Sequence, residues 1–250
     1  MIQDLTVVIA AHDEEATIAA IVSACRQHTD AILVVVGRRT SDRTAERAAL
    51  AGARVLVDRG RGKGDALRVS IDAITTGLTV FIDADGSHDP DDIPRLVQPI
   101  LEDEADHVSA SRLIGGSSEL HGGFDEFFRL AGSSFITACI NWKFGVKLSD
   151  SQNGFRAIRT SALRHLGLVS DSTTIEQEMI MRSLALGYRV HEVPSHEHLR
   201  KAGTSHINVR RAALGYVANL ARHMVFARPA PALRTRVDSA GNDRPAPVRH

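Results

Sequence analysis

Leu78-Thr79-Val80-Phe81-Ile82-Asp83-Ala84-Asp85-Gly86-Ser87-His88-Asp89-Pro90 passes from an apolar, β-branched run into two carboxylates spaced i, i+2. Such a run, lacking polar alternation, predicts a strand buried on both faces. In an open α/β sheet, ligands bind just beyond the carboxyl ends of the strands, so Asp83 and Asp85 fall where a site belongs. Two hard carboxylates there suit Mg²⁺ or Mn²⁺ holding a diphosphate. Acids also follow strands simply to cap the next helix, a role assigned to Asp89 or Asp91.

Working outward, residues 5–10, 31–36 and 54–57 read as further buried strands separated by helical stretches, the pattern of a parallel sheet flanked by helices. Ile18, Ile21, Val22 and Cys25 share one helical face, with Asp13, Glu14 and Glu15 at its dipole-favoured N-terminal end. Asp42 caps a second helix ending near Gly52, a third covers 63–76 before Gly77, and a fourth begins at Asp91. After a strand at 107–111 the alternation breaks down. A Gly/Ser segment at 115–123 precedes a helix over 124–148 containing Phe124, Phe127, Phe128, Phe135, Trp142 and Phe144. Those aromatics read either as core or, beside Arg129, Lys143 and Lys147, as an amphipathic face at a lipid headgroup region. A helix is expected over 209–227. Residues 228–250 carry four of the eight prolines, five arginines and little that is apolar. The organisation predicted is one domain over 1–227 and a disordered tail over 228–250.

Composition narrows the class. The 250 residues hold 30 Lys+Arg against 30 Asp+Glu and are 43% hydrophobic, which excludes bulk disorder and gives no global electrostatic reason to bind nucleic acid. Cys25 and Cys139 lie far apart in apolar helical patterns and read as core thiols of a reducing compartment. The first residues lack a signal-peptide layout, and no apolar run reaches the ~20 residues that span a bilayer. The expected location is the cytoplasm, with membrane contact only at the surface.

Six segments carry a resemblance. Val7-Val8-Ile9-Ala10-Ala11-His12-Asp13-Glu14-Glu15 resembles the opening Val-Val-Ile-Pro-Ala-Tyr-Asn-Glu-Glu of family 2 glycosyltransferases. Arg61-Gly62-Lys63-Gly64-Asp65-Ala66-Leu67-Arg68 is similar to that family's Gly-Lys-Gly-x-Ala segment, and the Asp83-to-Pro90 stretch to its Asp-x-Asp block. Downstream, Ser109-Ala110-Ser111-Arg112, Asp150-Ser151-Gln152-Asn153-Gly154-Phe155-Arg156 and Arg200-Lys201-Ala202-Gly203-Thr204-Ser205-His206 resemble, in order, segments of its dolichyl- or polyprenyl-phosphate mannose synthase branch. The resemblance spans about residues 5 to 210. It implies an α/β, Rossmann-like GT-A fold with a mostly parallel central sheet, a nucleotide-diphosphate-sugar donor and a divalent metal, Mg²⁺ or Mn²⁺, on Asp83, Asp85 and Ser87. Carried over residue by residue, Ala11, Asp13, Glu15 and Asp42 would serve the nucleotide, Lys63 would approach the donor, and Arg112, Arg129, Arg200 and Ser205 would serve phosphates. Arg129 keeps the branch's spacing, four residues before Ser133.

The chain also departs from the family. Gly37-Arg38-Arg39-Thr40-Ser41-Asp42-Arg43-Thr44 replaces the usual Asp-Asp-Gly-Ser-Thr-Asp-Gly-Thr, so the base of the donor is not carried over. Arg38 and Arg39 read equally as diphosphate contacts or solvated loop charges. Ala10 stands for the usual Pro and Ser87 for the usual Gln.

Glycosyl transfer requires negative charge on the departing diphosphate to be stabilised, work that a metal, Lys63 and arginines do electrostatically. A phosphate monoester acceptor, with a second pKa of about 6, is already ionised at neutral pH, whereas a hydroxyl acceptor needs a carboxylate base. Glu176, Glu178 and Asp150 are the candidates for that base, and of the two glutamates, spaced i, i+2 on a helix, at most one is expected to point inward. His196, His198 and His206 form a further cluster near Arg200, readable as loop or phosphate hydrogen bonding or as a metal contact.

Taken together, the motifs predict an inverting, metal-dependent hexosyltransferase with a polyprenyl phosphate acceptor at a membrane surface. The alternatives are a soluble transferase acting on a small hydroxyl acceptor, a sugar-1-phosphate nucleotidyltransferase, and a non-catalytic nucleotide-sugar binding protein.

Overall fold

The computed structural model describes residues 1–118, 124–200 and 209–226. The 228–250 segment, Ser205 and His206 therefore lie outside the described residues, as does the side chain of Arg129.

Seven strands form one sheet: β1 (Leu5–Ala11), β2 (Ala31–Val36), β3 (Arg54–Val57), β4 (Leu78–Asp83), β5 (His107–Ser111), β6 (Arg156–Arg159) and β7 (Val190–Pro194). Their order is β3-β2-β1-β4-β6-β5-β7, and β6 alone runs antiparallel to its neighbours. The apolar runs of β1, β2 and β4 follow from burial on both faces. Leu5, Val7 and Ile9 face a core layer shared with α1 (Ile18–Cys25), while Val8, Leu33, Val35 and Phe81 face the opposite layer. Between the strands lie α2 (Thr44–Leu50), α3 (Lys63–Ile71) and α4 (Ile93–Leu101), then α5 (Arg112–Gly115), α6 (Phe124–Phe144), α7 (Thr160–His165), α8 (Ile175–Ala185) and α9 (Val209–Phe226). Ile136, Ile140 and Phe144 of α6 pack with Ile180, Met181 and Leu184 of α8 and Leu220 of α9 in a third apolar cluster. None of the described helices is long and apolar enough to cross a membrane.

Several boundaries differ from expectation for local reasons. No acid lies in the first turn of α1, because Asp13, Glu14 and Glu15 form the loop before it. The third helix stops at Ile71, where the Ala73 N–H bonds the Ser70 carbonyl in a closing turn. The long aromatic helix stops at Phe144, since Gly145 adopts φ +68 and the Asn141 side chain both donates to and accepts from Leu148. A single 3₁₀ turn (Pro90–Asp92) precedes α4, and Asp89 caps it by accepting from the Asp91 N–H at 3.0 Å. Asp42 accepts from the Thr44 N–H at 2.9 Å at the start of α2. Cys25 is buried in the core, which pushes its thiol up to about 12, while Cys139 is half-buried. The core reading of the aromatics holds for Phe144 but not for Phe135 and Trp142, which are 64% and 82% exposed.

Candidate active site

A cleft of about 420 Å³ opens at the carboxyl ends of β1, β2, β3 and β4. Parallel pairing sets Ala10 beside Asp83, so the β1 loop and the strand-end acids share one rim. Of the residues predicted for the site, Ala11, Lys63, Asp83, Asp85 and Arg200 line this cleft, and so do Arg38 and Arg39.

Lys63 opens α3 and reaches across to both Asp83 Oδ1, at 2.5 Å, and Glu176 Oε1, at 2.8 Å. Gly64 makes this possible, because a Cβ there would fall 2.3 Å from the Ser170 carbonyl oxygen. The start of α3 thereby seats directly on the loop leading to α8. Burial opposes the Lys63 charge, but Asp83 and Glu176 outweigh it and hold the ammonium well above its ordinary range. Asp83 is correspondingly lowered, since Lys63 overcomes the cost of burial.

Asp85 is oriented from below. Its Oδ1 accepts from the Ser87 hydroxyl at 2.7 Å and the Ser87 N–H at 3.0 Å, and its Oδ2 lies 3.0 Å from Arg200 Nη2. Ser87 therefore addresses Asp85 through both of its donors. Buried His88 packs on Phe155 with its Nδ1 unpartnered, and burial lowers its pKa.

Three predicted nucleotide contacts instead tie two loops together. Asp13 Oδ1 accepts from the Ser41 N–H at 2.7 Å, Glu15 Oε2 from the Arg43 N–H at 3.2 Å, and Asp42 Oδ2 from the Glu15 N–H at 2.9 Å. None of the three lines the cleft; Glu14, between Asp13 and Glu15, does. Burial, reinforced by Asp85, lifts its carboxyl to about 7. Sequence reasoning missed Glu14 because the turn at Asp13, φ +53, rests on a conformation rare outside glycine. It also missed Asp58 and Arg61 on the cleft wall.

The candidate bases sit in three settings. Glu176 and Glu178 are both buried, contrary to the expectation for acids two apart, because α8 is enclosed on several sides. Glu176 meets Lys63, whereas Glu178 accepts from the Val169 and Ser170 N–H groups and from Arg182 Nε. Asp150 is gripped by Arg112, whose Nη1 also lies 3.5 Å from Glu197. Arg112 thus faces carboxylates, and neither it nor Asp150 lines the cleft. The rings of His196 and His198 lie 4.7 Å apart, tilted by 58°, beside a smaller recess, with His196 bonded to Ser118.

Asp83 and Asp85 supply the hard oxygen donors that Mg²⁺ and Mn²⁺ take. Among the described residues no group of three or more His, Cys, Asp or Glu is placed to cage a metal. That fits an ion of the kind bound by one or two carboxylates, with substrate phosphates and water completing its shell.

The fold is that of the GT-A glycosyltransferases. Mycobacterium tuberculosis glucosyl-3-phosphoglycerate synthase superposes with a TM-score of 0.69 at 21% identity, over 88% of this chain and 80% of that one. Structures of that enzyme hold Mn²⁺ or Mg²⁺ with uridine diphosphate. The sequence pattern of glycosyl transferase family 2 matches residues 6–167, and the chain belongs to that family. Glycosyltransferase AglJ of Haloferax volcanii is 28% identical over 194 residues, 77% of this chain, which spans only 62% of that protein's length. The dolichyl-phosphate hexose transferase of the same organism is 29% identical over 192 residues, 76% of this chain and 81% of its own.

Proposed function

We propose that the chain transfers a hexosyl group, with inversion and with a divalent metal, from a nucleotide-diphosphate sugar to a polyprenyl phosphate. The observation that carries this reading is the cleft itself, which Asp83 and Asp85 line together with Lys63, Arg38, Arg39, Arg61 and Arg200. Carboxylates for a metal and cations for a diphosphate are what departure of a nucleoside diphosphate requires.

Asp83 and Asp85 would hold Mg²⁺ or Mn²⁺, with Ser87 fixing the direction of Asp85. When bound, the metal supplies positive charge to the diphosphate oxygens. Arg38, Arg39 and Arg61 line the cleft and would orient the donor phosphates, while Lys63 lies against Asp83 and Arg200 against Asp85. Displacement at the anomeric carbon by a group on the opposite face inverts its configuration and needs no covalent intermediate.

All three candidate bases are held by cations, Asp150 by Arg112, Glu176 by Lys63 and Glu178 by Arg182. That arrangement favours an acceptor that arrives already ionised, as a phosphate monoester does at neutral pH. Similarity to a dolichyl-phosphate hexose transferase supports the same acceptor class. Exposed Phe135 and Trp142 on α6, near exposed Lys147, supply an apolar and basic face by which the protein would meet the lipid surface.

The test is incubation with UDP- and GDP-hexoses, Mn²⁺ and either polyprenyl phosphate or the matching polyprenol. Glycolipid formation and nucleoside diphosphate release with the phosphate alone are expected. Turnover only with hydroxyl acceptors would support the soluble-acceptor alternative, and pyrophosphate release from a nucleoside triphosphate and a sugar 1-phosphate would make the chain a nucleotidyltransferase.

A further inference from the structure

The ammonium of Lys63 touches two carboxylates of different standing. Asp83, 2.5 Å away, lines the cleft and is a metal-ligand candidate, whereas Glu176, 2.8 Å away, is 3% exposed and lies behind it. Only one oxygen of Glu176 is used. Its Oε2 is buried without a hydrogen-bond partner, a state that costs stability unless another arrangement satisfies it. Glu176 itself is fixed, since it sits in the first turn of α8 and its carbonyl accepts from buried Arg156 Nη1 at 2.9 Å. Lys63 is the movable partner, carried on a flexible four-carbon stem. The space around the pair is kept open by Gly154, where a Cβ would fall 2.6 Å from Asp83 Oδ2 and 2.9 Å from Lys63 Nζ.

We propose that Lys63 occupies Asp83 in place of the divalent cation and withdraws onto both oxygens of Glu176 when the cation arrives, making Glu176 the positioning residue for this exchange. Two cations on one carboxylate repel, so a divalent ion at Asp83 would displace the ammonium that now lies 2.5 Å from it. Withdrawal onto Glu176 Oε2 also satisfies the atom now left without a partner. Arg200, by contrast, is 30% exposed and shares Asp85 from the solvent side. The exchange couples metal occupancy to the position of the lysine, so that an empty site is held closed by an internal cation. It rests on the metal-dependent reading given above.

The experiment is Mn²⁺ titration of the full chain without nucleotide, read from the electron paramagnetic resonance signal of free Mn²⁺. Removing the competing charge in Lys63→Met, with Lys63→Gln as a second variant and circular dichroism as the check on folding, is expected to tighten Mn²⁺ binding about five- to tenfold. Glu176→Gln, which leaves the lysine only Asp83, is expected to weaken it by a similar factor. In the Lys63→Met background the Glu176→Gln effect should vanish, because there is no ammonium left to receive. Unchanged or weaker binding in both Lys63 variants, or a Glu176→Gln loss that persists without Lys63, would overturn the exchange while leaving the metal reading intact if Asp83→Asn abolishes binding. Failure of every variant and of the wild type to bind Mn²⁺ would overturn both.

Discussion

Arg112 holds Asp150 through two nitrogens, Nε to Oδ2 at 2.6 Å and Nη2 to Oδ1 at 3.0 Å, with the aspartate 2% exposed. The pair joins the end of β5 to the loop before β6, and Glu192 of β7 fixes that loop by accepting from the Ser149 and Asp150 N–H groups. Burial works against the Asp150 charge, but Arg112 prevails and holds the carboxyl below its usual range. A carboxylate so held is a weak proton acceptor. Asp150→Asn is therefore expected to cost stability, about 3 kcal/mol for breaking a buried pair. Because the folded pKa is depressed, the contribution is present above about pH 4 and is lost as the pH falls through the folded value. Urea unfolding at pH 7 and in strong acid reads both effects, and an Asp150→Asn variant as stable as the wild type at pH 7 would contradict the assignment.

Ser87 donates twice to Asp85, and its role here is to aim that carboxylate. Ser87→Ala removes the hydroxyl bond and leaves the backbone one, so metal-dependent donor affinity should fall modestly, about threefold to tenfold, given a hydrogen bond to a charged group. Asp85→Ala should abolish metal dependence altogether. Calorimetric titration of donor with and without Mn²⁺ separates the two, and equal losses in both variants would argue for Ser87 as a direct ligand.

Glu14 gives the site a pH signature near neutrality. Its carboxyl is raised from 4.5 to about 7 by burial and by Asp85, against the pull of Arg200. Between these values the folded chain keeps a proton that the unfolded chain has released, so this group makes stability fall as the pH rises through that window. Glu14→Gln removes the slope. Relative to the wild type, the variant should gain stability from pH 5 to pH 8, as measured by urea midpoints, and parallel profiles would show that Glu14 is not the group responsible.

Phe135 and Trp142 lie seven residues apart on one side of α6, and both are exposed. Replacing both with Ser should change unfolding stability by less than about 0.5 kcal/mol, as for other exposed positions. The same change should reduce co-sedimentation with vesicles containing anionic lipid. Retained vesicle binding would move the contact elsewhere on the molecule, and absence of binding by the wild type would remove it.

Strands β1, β2 and β4 were readable because a parallel strand covered on both sides must be apolar throughout, as Val7-Val8-Ile9 and Ile32-Leu33-Val34-Val35 are, whereas β3, expected to be buried, is exposed at Arg54 and Val57. Strands β6 and β7 left no such trace. Arg156-Ala157-Ile158-Arg159 is short and charged at both ends, and Arg156 is fully buried only because the carbonyls of Asn153 and Glu176 receive its guanidinium. That compensation comes from distant residues and has no local pattern. At the site, Asp83, Asp85 and Lys63 were legible from their place after a strand and before a helix. The selection of Glu14 over Asp13 and Glu15 depends on one backbone angle, and the meeting of Lys63 with Glu176 on the packing of Gly64 against Ser170. Neither is encoded in spacing.

Thermal unfolding with UDP-, GDP-, CDP- and TDP-sugars, with and without Mn²⁺, tests whether Asp83 and Asp85 form a metal-dependent nucleotide-sugar cleft. A ligand that binds only the folded state raises its Tm. A rise is expected with one nucleotide class, one that requires Mn²⁺ and is absent in Asp85→Ala. No rise with any donor, or a rise that is the same without metal and in Asp85→Ala, would contradict that assignment.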